Sequence, residues 1–444
     1  MTVGEKWDFA SIEKKLALAE QNFDTLFSGF AWEQKVITFS FPLSEFPGMG
    51  QNVPEGEALI YTPFTQDEID RTIAVFESIE QFVDLDFVYD PTGDGEVKIG
   101  HQNMVDAFAG YAAYPGEDSS HVLVVSDKKP INNPATQNDD FGLMTLIHEI
   151  GHSLGLEHTH EATEPLNVKL DTTYASAMSY NSVVINLPTF YANYAQTTFM
   201  PMDILALQAM YGVSTKVSDD VYIADNAIKT IADYGGFDTI DISTQTYDPK
   251  DINIVDLQRG FVYFDRLDGG WQSMTFDTPA DEWSGLIDRS AANGFYNMMI
   301  MPGTTIEKVV GSAVRDRIIG TTGEQILSGG LGKDMLTGNG GADAFTFASA
   351  AEAGSGKACD TIKDFRPGTD QIDLSAIIPG GVFDLIGKQV FHSVAGELRT
   401  FMDDRRGTAR DATYVQGDVD GDAVADFQIR LLGLHRLQDT DFVL

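Results

Sequence analysis

Between residues 311 and 346 the chain repeats itself every nine residues, as GSAVRDRII, GTTGEQILS, GGLGKDMLT and GNGGADAFT. No other feature restricts the fold as much. Glycines permit tight turns, the sixth residue is Asp316, Asp334 or Asp343 in three units and Gln325 in the second, and the eighth is Ile318, Leu327, Leu336 or Phe345. A unit that short makes one turn and one strand and cannot bury its apolar residue alone, so successive units must stack as a coil with the eighth residue inside. Turns then alternate between two edges: units one and three share one, and units two and four share the other. Val314 stands where the other units have glycine and is expected to restrict its turn.

A chain of 444 residues is too long for one ordinary core and is expected to form two domains. Its formal charge of -38, from 67 acidic against 29 basic residues, offers no basic patch to phosphates and argues against a nucleic-acid partner. Such an excess must be screened or neutralised, and bound calcium serves where carboxylates cluster. Cys359 is the single cysteine, which rules out an intrachain disulfide and leaves metal as the available staple. No apolar run at the start is long enough for an export signal, and nothing later reads as a membrane span. Either the protein stays inside the cell or it leaves by a route that does not read the N-terminus.

Chemistry concentrates in residues 141–158, FGLMTLIHEIGHSLGLEH. His148 and His152 are four apart, so on a helix both imidazoles point the same way, with Glu149 beside them in reach of a metal-bound water. Leu143, Leu146, Ile147, Ile150 and Leu154 give that helix an apolar face. Gly155 can stop the helix and turn the chain back, bringing His158 to the same ion. Three neutral imidazoles suit one catalytic zinc and leave a coordination position for water. Zinc lowers the pKa of that water from about 15.7 towards roughly 7 and polarises a carbonyl, while Glu149 can take the proton and pass it to a leaving amine.

HEIGHSLGLEH resembles the extended zinc signature of the metzincin metalloproteases, and more closely that of the serralysins, the secreted bacterial alkaline proteases. The resemblance implies His148, His152 and His158 as zinc ligands, Glu149 as general base and Gly155 at the turn. It also implies that SAMSY is the methionine turn, with Met178 beneath the zinc and Tyr180 ligating the metal or stabilising the tetrahedral intermediate. In the family a proline usually follows the third histidine. Here Thr159 and His160 do, with His160 expected to face solvent, so the cleft wall is expected to differ. GYAAYPG, residues 110–116, resembles the family's sheet edge that pairs with an extended substrate, and DILALQAMYG resembles the helix closing its catalytic domain.

The nonapeptides are identified as RTX calcium-binding repeats, which wind as a parallel β-roll holding calcium between successive turns on one edge. Candidate ligands are Asp316, Asp334 and Asp343, with Asp360 and Asp370 in the capping segment DTIKDFRPGTDQIDLSAI. Because an amide brings no charge, the edge of Gln325 and Asp343 is expected to bind more weakly than that of Asp316 and Asp334. DVDGDAVAD, residues 418–426, departs from an EF-hand loop and reads as a tight acidic turn. The implied fold is an α/β metzincin catalytic domain in residues 31–215 followed by an all-β parallel β-roll domain in residues 216–444, after a helical or propeptide segment in residues 1–30. The final Asp441, Phe442, Val443 and Leu444 resemble the tail read by a one-step, type I secretion apparatus. The expectation is a secreted monomer with protein or peptide substrates, several calcium ions and a proteinaceous inhibitor. The competing reading is a catalytically silent, calcium-dependent binding protein, against which Glu149 speaks.

For local structure, a helix is expected over residues 8–22, strands at VITFSF, LDFVYD, EVKIG and HVLVVS, and a helix after the capping box of Thr65 and Glu68 with Ile69, Ile73, Phe76 and Val83 on one face. Asp140 is expected to cap the histidine-bearing helix, and PMDILALQAMYG to form another between Pro201 and Gly212. STKVSDD reads as a linker, ADYGGFDTIDIS gathers Asp233, Asp238 and Asp241 before a strand, and WQSMTF and FYNMMIM suggest further strands.

Overall fold

The computed structural model describes residues 23–116, 121–127, 141–161, 166, 171–173, 175–181, 196–224, 229–244, 252–264, 296–405, 407 and 410–444. The helix expected over residues 8–22, the cap at Asp140 and the strand expected in residues 271–276 lie outside these. Among the described residues strands dominate, much of the sheet is parallel, and helices are few.

The first sheet contains β1 Val36–Ser40, β2 Tyr61–Thr62, β3 Asp86–Tyr89, β4 Val97–Gln102, β5 Gly110–Ala112 and β6 Val122–Ser126, in the order β3-β1-β4-β6-β5 with β2 paired to β4. β3, β1, β4 and β6 are parallel, and β6 is buried along its whole length, as its continuous apolar run requires. β5 runs antiparallel to β6, with Gly110 opposite Val125 and Ala112 opposite Leu123. It ends the sheet, so its outer backbone groups pair with no described strand.

Three helices share a core with this sheet. α1, Gln66–Glu80, begins at the expected reciprocal cap, Thr65 accepting from the Glu68 backbone and Glu68 accepting from the Thr65 backbone at 2.9 Å. Of the expected face, Phe76 is buried and Ile69 and Ile73 are half-buried against the same core, beside the buried Glu68, Thr72, Val75 and Ile79, while Val83, fully buried, lies past the helix end. The Phe76 ring lies 4.3 Å from that of Phe39 and 4.7 Å from that of Phe87. α2, Phe141–Ser153, and α3, Pro201–Tyr211, pack in the same core through Leu146, Ile147, Ile150, Ile204, Leu205 and Leu207. Residues 214–220, expected as a loose linker, are tied to α1 and β3. Ser214 Oγ donates to the Glu80 carbonyl at 2.6 Å, and Lys216 pairs with Glu80 and, at 3.1 Å, with Asp86.

Downstream the chain winds as the period predicts. Arg315–Ile319, Met335–Thr337 and Asp360–Ile362 stack in parallel in one sheet, and Lys308–Val310, Ile326–Ser328, Ala344–Thr346 and Gln371–Asp373 in another. Ile318, Leu327, Leu336 and Phe345 are fully buried between them. The coil starts before the repeats, with Val221–Ile223 and Thr239–Asp241 in the second sheet and Ile252–Asp256 in the first. Antiparallel strands Glu397–Asp403, Ala412–Asp418 and Phe427–Leu432 extend the first sheet, whereas Phe442–Val443 closes the second in parallel with Gln371–Asp373. Val314 does not strain its turn: it is buried with an ordinary backbone, while the left-handed geometry falls on Gly330 and Gly332 of the third unit at φ +77 and +140. FYNMMIM supplies the strand Tyr296–Ile300.

Candidate metal centre

α2 ends at Ser153, and the chain turns at Gly155, whose φ of +95 belongs to the left-handed region and on which a Cβ would collide with the Phe30 carbonyl oxygen. The segment around Ser28 lies across this turn, Ser28 N donating to the Gly155 carbonyl at 3.1 Å. The reversal brings His158 back to α2, with its Nε2 3.1 Å from that of His148 and 3.0 Å from that of His152. Of the opposite ring nitrogens, those of His148 and His152 are hydrogen-bonded, and that of His158 has only carboxylates nearby. His148 Nδ1 donates to the Ala177 carbonyl at 2.7 Å and His152 Nδ1 to the Leu156 carbonyl at 2.8 Å, while Glu161 and Glu157 carboxylate oxygens lie 3.1 and 3.6 Å from His158 Nδ1. Protons on Nδ1 leave three Nε2 lone pairs facing one point, an arrangement that repels itself unless a cation sits there. Imidazoles on a tetrahedral zinc stand about 3.3 Å apart at nitrogen, close to the observed spacing. The residues present fit that ion.

Electrostatics agree. Burial pulls His148 down to about 4 and His152 well below its ordinary value, keeping both rings neutral. Burial pushes the Glu149 carboxyl up to about 8, and its Oε2 has no hydrogen-bond partner. A Cβ on Gly110 of β5 would lie 2.8 Å from Glu149 Oε1, so the edge strand runs directly against this carboxyl. The Tyr180 ring lies 5.5 Å from that of His148, and its hydroxyl donates to His158 Nε2 at 2.7 Å. His160 faces solvent as expected, its ring 4.9 Å from that of Tyr180.

Comparison with known proteins places this geometry in a family. Metallopeptidase AprA of Pseudomonas marginalis is 30% identical over 391 residues, covering 78% of this chain and 74% of that protein. Serralysin of Proteus mirabilis is 31% identical, covering 80% and 73%, and serralysin C of Dickeya chrysanthemi is 32% identical, covering 75% and 69%. The chain belongs to the serralysin family of metalloproteases. The family profile described as "Peptidase M10 serralysin C terminal" matches residues 290–444.

Two carboxylates that sequence reading missed hold the loop that follows the histidines. Met178 is fully buried under α2, where a Cβ on Gly151 would lie 2.6 Å from its sulfur. Asp203, in the first turn of α3 and fully buried, accepts from Ser176 Oγ at 2.5 Å, Ala177 N at 2.6 Å and Met200 N at 3.0 Å. Asp171 accepts from the Thr159 hydroxyl, from Ser179 Oγ at 2.7 Å and from Asn181 Nδ2 at 2.7 Å. Thr159, where a proline is usual, thus ties the third histidine's strand of chain to the methionine loop. Only the acidic residue just after Pro201 hinted at Asp203, and first-turn acids are ordinarily solvated.

The other predicted ligands line the coil. Asp316, Asp334 and Asp360 are buried along one edge, Asp343 and Asp370 along the other. Asp233 and Asp238 do converge, but with Asp220 and not with Asp241, which caps its own turn by accepting from Ser243 N at 2.8 Å. In the acidic turn, Asp418, Asp420 and Asp426 carboxylates lie within 4.8 Å of one another and accept backbone N–H bonds of that same turn.

Proposed function

We propose that this protein is a secreted, zinc-dependent endopeptidase of broad specificity, with a metzincin catalytic domain in residues 31–215 and a calcium-holding β-roll domain in residues 216–444. The observation behind it is the convergence of three Nε2 atoms, at 3.0 and 3.1 Å, beside a buried carboxyl and a sheet edge that pairs with no described strand. His148, His152 and His158 would hold the zinc, which when bound supplies a Lewis acid and a water of lowered pKa.

Glu149 receives the proton of the attacking water and hands it to the leaving amine. Its surroundings suit both proton transfers, because burial raises the carboxyl to about 8 and a zinc ion bound alongside would favour the ionised form. The Tyr180 hydroxyl is a donor on an exposed side chain at the mouth of the site, suited to the oxygen on which negative charge develops. β5 recognises the substrate main chain as an added strand, so affinity comes from backbone hydrogen bonds and side-chain selectivity stays low. Asp316, Asp334 and Asp360 take calcium outside the cell, where it is abundant, and the final strand carries the export address read by a secretion apparatus.

Metal analysis and reconstitution test this. One zinc per chain is expected, with cleavage of an unfolded protein lost on chelation and restored by zinc. Undiminished cleavage by zinc-free protein would refute the proposal.

A further inference from the structure

The two edges of the coil carry similar carboxylate ladders, and among the described residues only the second has a cationic side chain within ion-pair distance. On the first, Asp334 Oδ1 accepts from Asp316 N at 2.8 Å and Asp360 Oδ1 accepts from Asp334 N at 2.7 Å. Oδ2 of Asp334 and of Asp360 is buried with no hydrogen-bond partner, and none of the three aspartates forms an ion pair with a described residue. The second edge repeats the pattern one unit out of phase: Asp343 Oδ1 accepts from Gln325 N at 3.0 Å and Asp370 Oδ1 from Asp343 N at 3.4 Å. Here a guanidinium intrudes. Arg366 Nη2 donates to Asp370 Oδ1 at 2.9 Å and to the carbonyl of Gly341, and lies 3.6 Å from Asp343 Oδ2, which is buried and has no hydrogen-bond partner of its own. Arg366 Nε adds a contact of 3.4 Å to Asp370 Oδ2.

We infer that Arg366 is a built-in cation standing where calcium would otherwise bridge Asp343, Asp370 and the Gly341 carbonyl, so that this edge closes without calcium and only the Asp316, Asp334 and Asp360 edge requires it. The inference rests on reading the coil as a calcium-holding one. Two carboxylates of successive turns and a glycine-turn carbonyl are the oxygen donors a hard divalent cation takes. A guanidinium satisfies the same oxygens through directed N–H donors and stays charged at any working pH. Being part of the chain, it is present at any calcium concentration. Gln325 fits the same account: its amide is spent within its own turn, Oε1 accepting from Thr321 N at 2.9 Å and Nε2 donating to Thr321 Oγ1 at 2.9 Å. That edge therefore needs less positive charge than its partner. The weak calcium edge expected from Gln325 becomes an edge with its own counter-ion.

Calcium titration of chelator-stripped, full-length protein, counting bound ions by calorimetry and equilibrium dialysis, tests the inference on four chains. Arg366→Gln is expected to bind one calcium more than the parent. In the parent background Asp343→Asn is expected to leave the number unchanged and Asp334→Asn to lower it. An unchanged number in Arg366→Gln, or a lowered number in Asp343→Asn, overturns the inference, and the second arm decides should Arg366→Gln not fold. A parent that binds no calcium, or an Asp334→Asn chain that binds as many ions as the parent, overturns the calcium reading itself and this inference with it.

Discussion

Single side chains divide here into those that touch the reaction and those that hold them. Tyr180→Phe keeps the ring that stacks at 5.5 Å on His148 and removes only the hydroxyl. It is expected to retain zinc and to lower turnover on the order of 10²-fold at saturating substrate, the usual cost of one oxyanion donor. Unchanged turnover would remove the role. Asp203→Ala acts at a distance, leaving the Ser176 hydroxyl and the Ala177 and Met200 backbone groups buried without an acceptor. A loss of about 3 kcal/mol is expected, read as a lowered urea midpoint with unchanged slope. A midpoint like the parent's would show that the methionine loop is held otherwise. The histidines, Glu149 and Gly155 were legible because helical spacing and one special turn dictate their placement. Asp203 and Asp171 were not, since nothing local says which acidic residue meets a loop residue 8 to 27 positions away.

Among elements, the coil was the most legible, because a fixed nine-residue period sets register, edge and inward face together. Its start before the repeats and its closure by Phe442–Val443 carry no period and had to be seen. Helix α1 shows the complementary limit: its start was readable from the capping box, but its stop before Val83, and which of its apolar residues are fully buried, depend on packing against distant strands. The buried edge of the coil also makes a pH prediction. Burial raises Asp316 to about 6, and burial together with neighbouring carboxylates raises Asp334 and Asp360 further above their ordinary 3.8. Folded values above unfolded ones mean that these groups favour the fold below about pH 4 and progressively less as pH rises through 6 and beyond. With calcium chelated by EGTA, the coil is expected to unfold at a lower temperature at pH 8 than at pH 5, with a smaller difference in Asp334→Asn. An equal or higher transition at pH 8 in the parent would contradict it. Bound calcium reverses the sign, since ligation requires the ionised form.

For the molecule as a whole, a formal charge of -38 means that much of its folding is a matter of counter-ions. The final residues have two duties in this account. Phe442 is buried and pairs with the strand Gln371–Asp373, and Asp441 accepts from Gly368 N at 2.6 Å, so the tail proposed as an export address is also the last rung of the coil. Deleting residues 435–444 is expected to retain the chain in the producing cell and to lower the coil's thermal transition, while cleavage by the catalytic half persists. Normal accumulation in the medium would contradict the export role.

The central claim, that three histidines and Glu149 form a working peptidase centre, is tested most directly by cleavage of an unfolded protein by the parent and by Glu149→Ala, with zinc content measured in both. The account predicts one zinc in each chain and a fall in turnover on the order of 10³-fold or more in the variant. Cleavage by zinc-loaded Glu149→Ala at the parent's rate would contradict it.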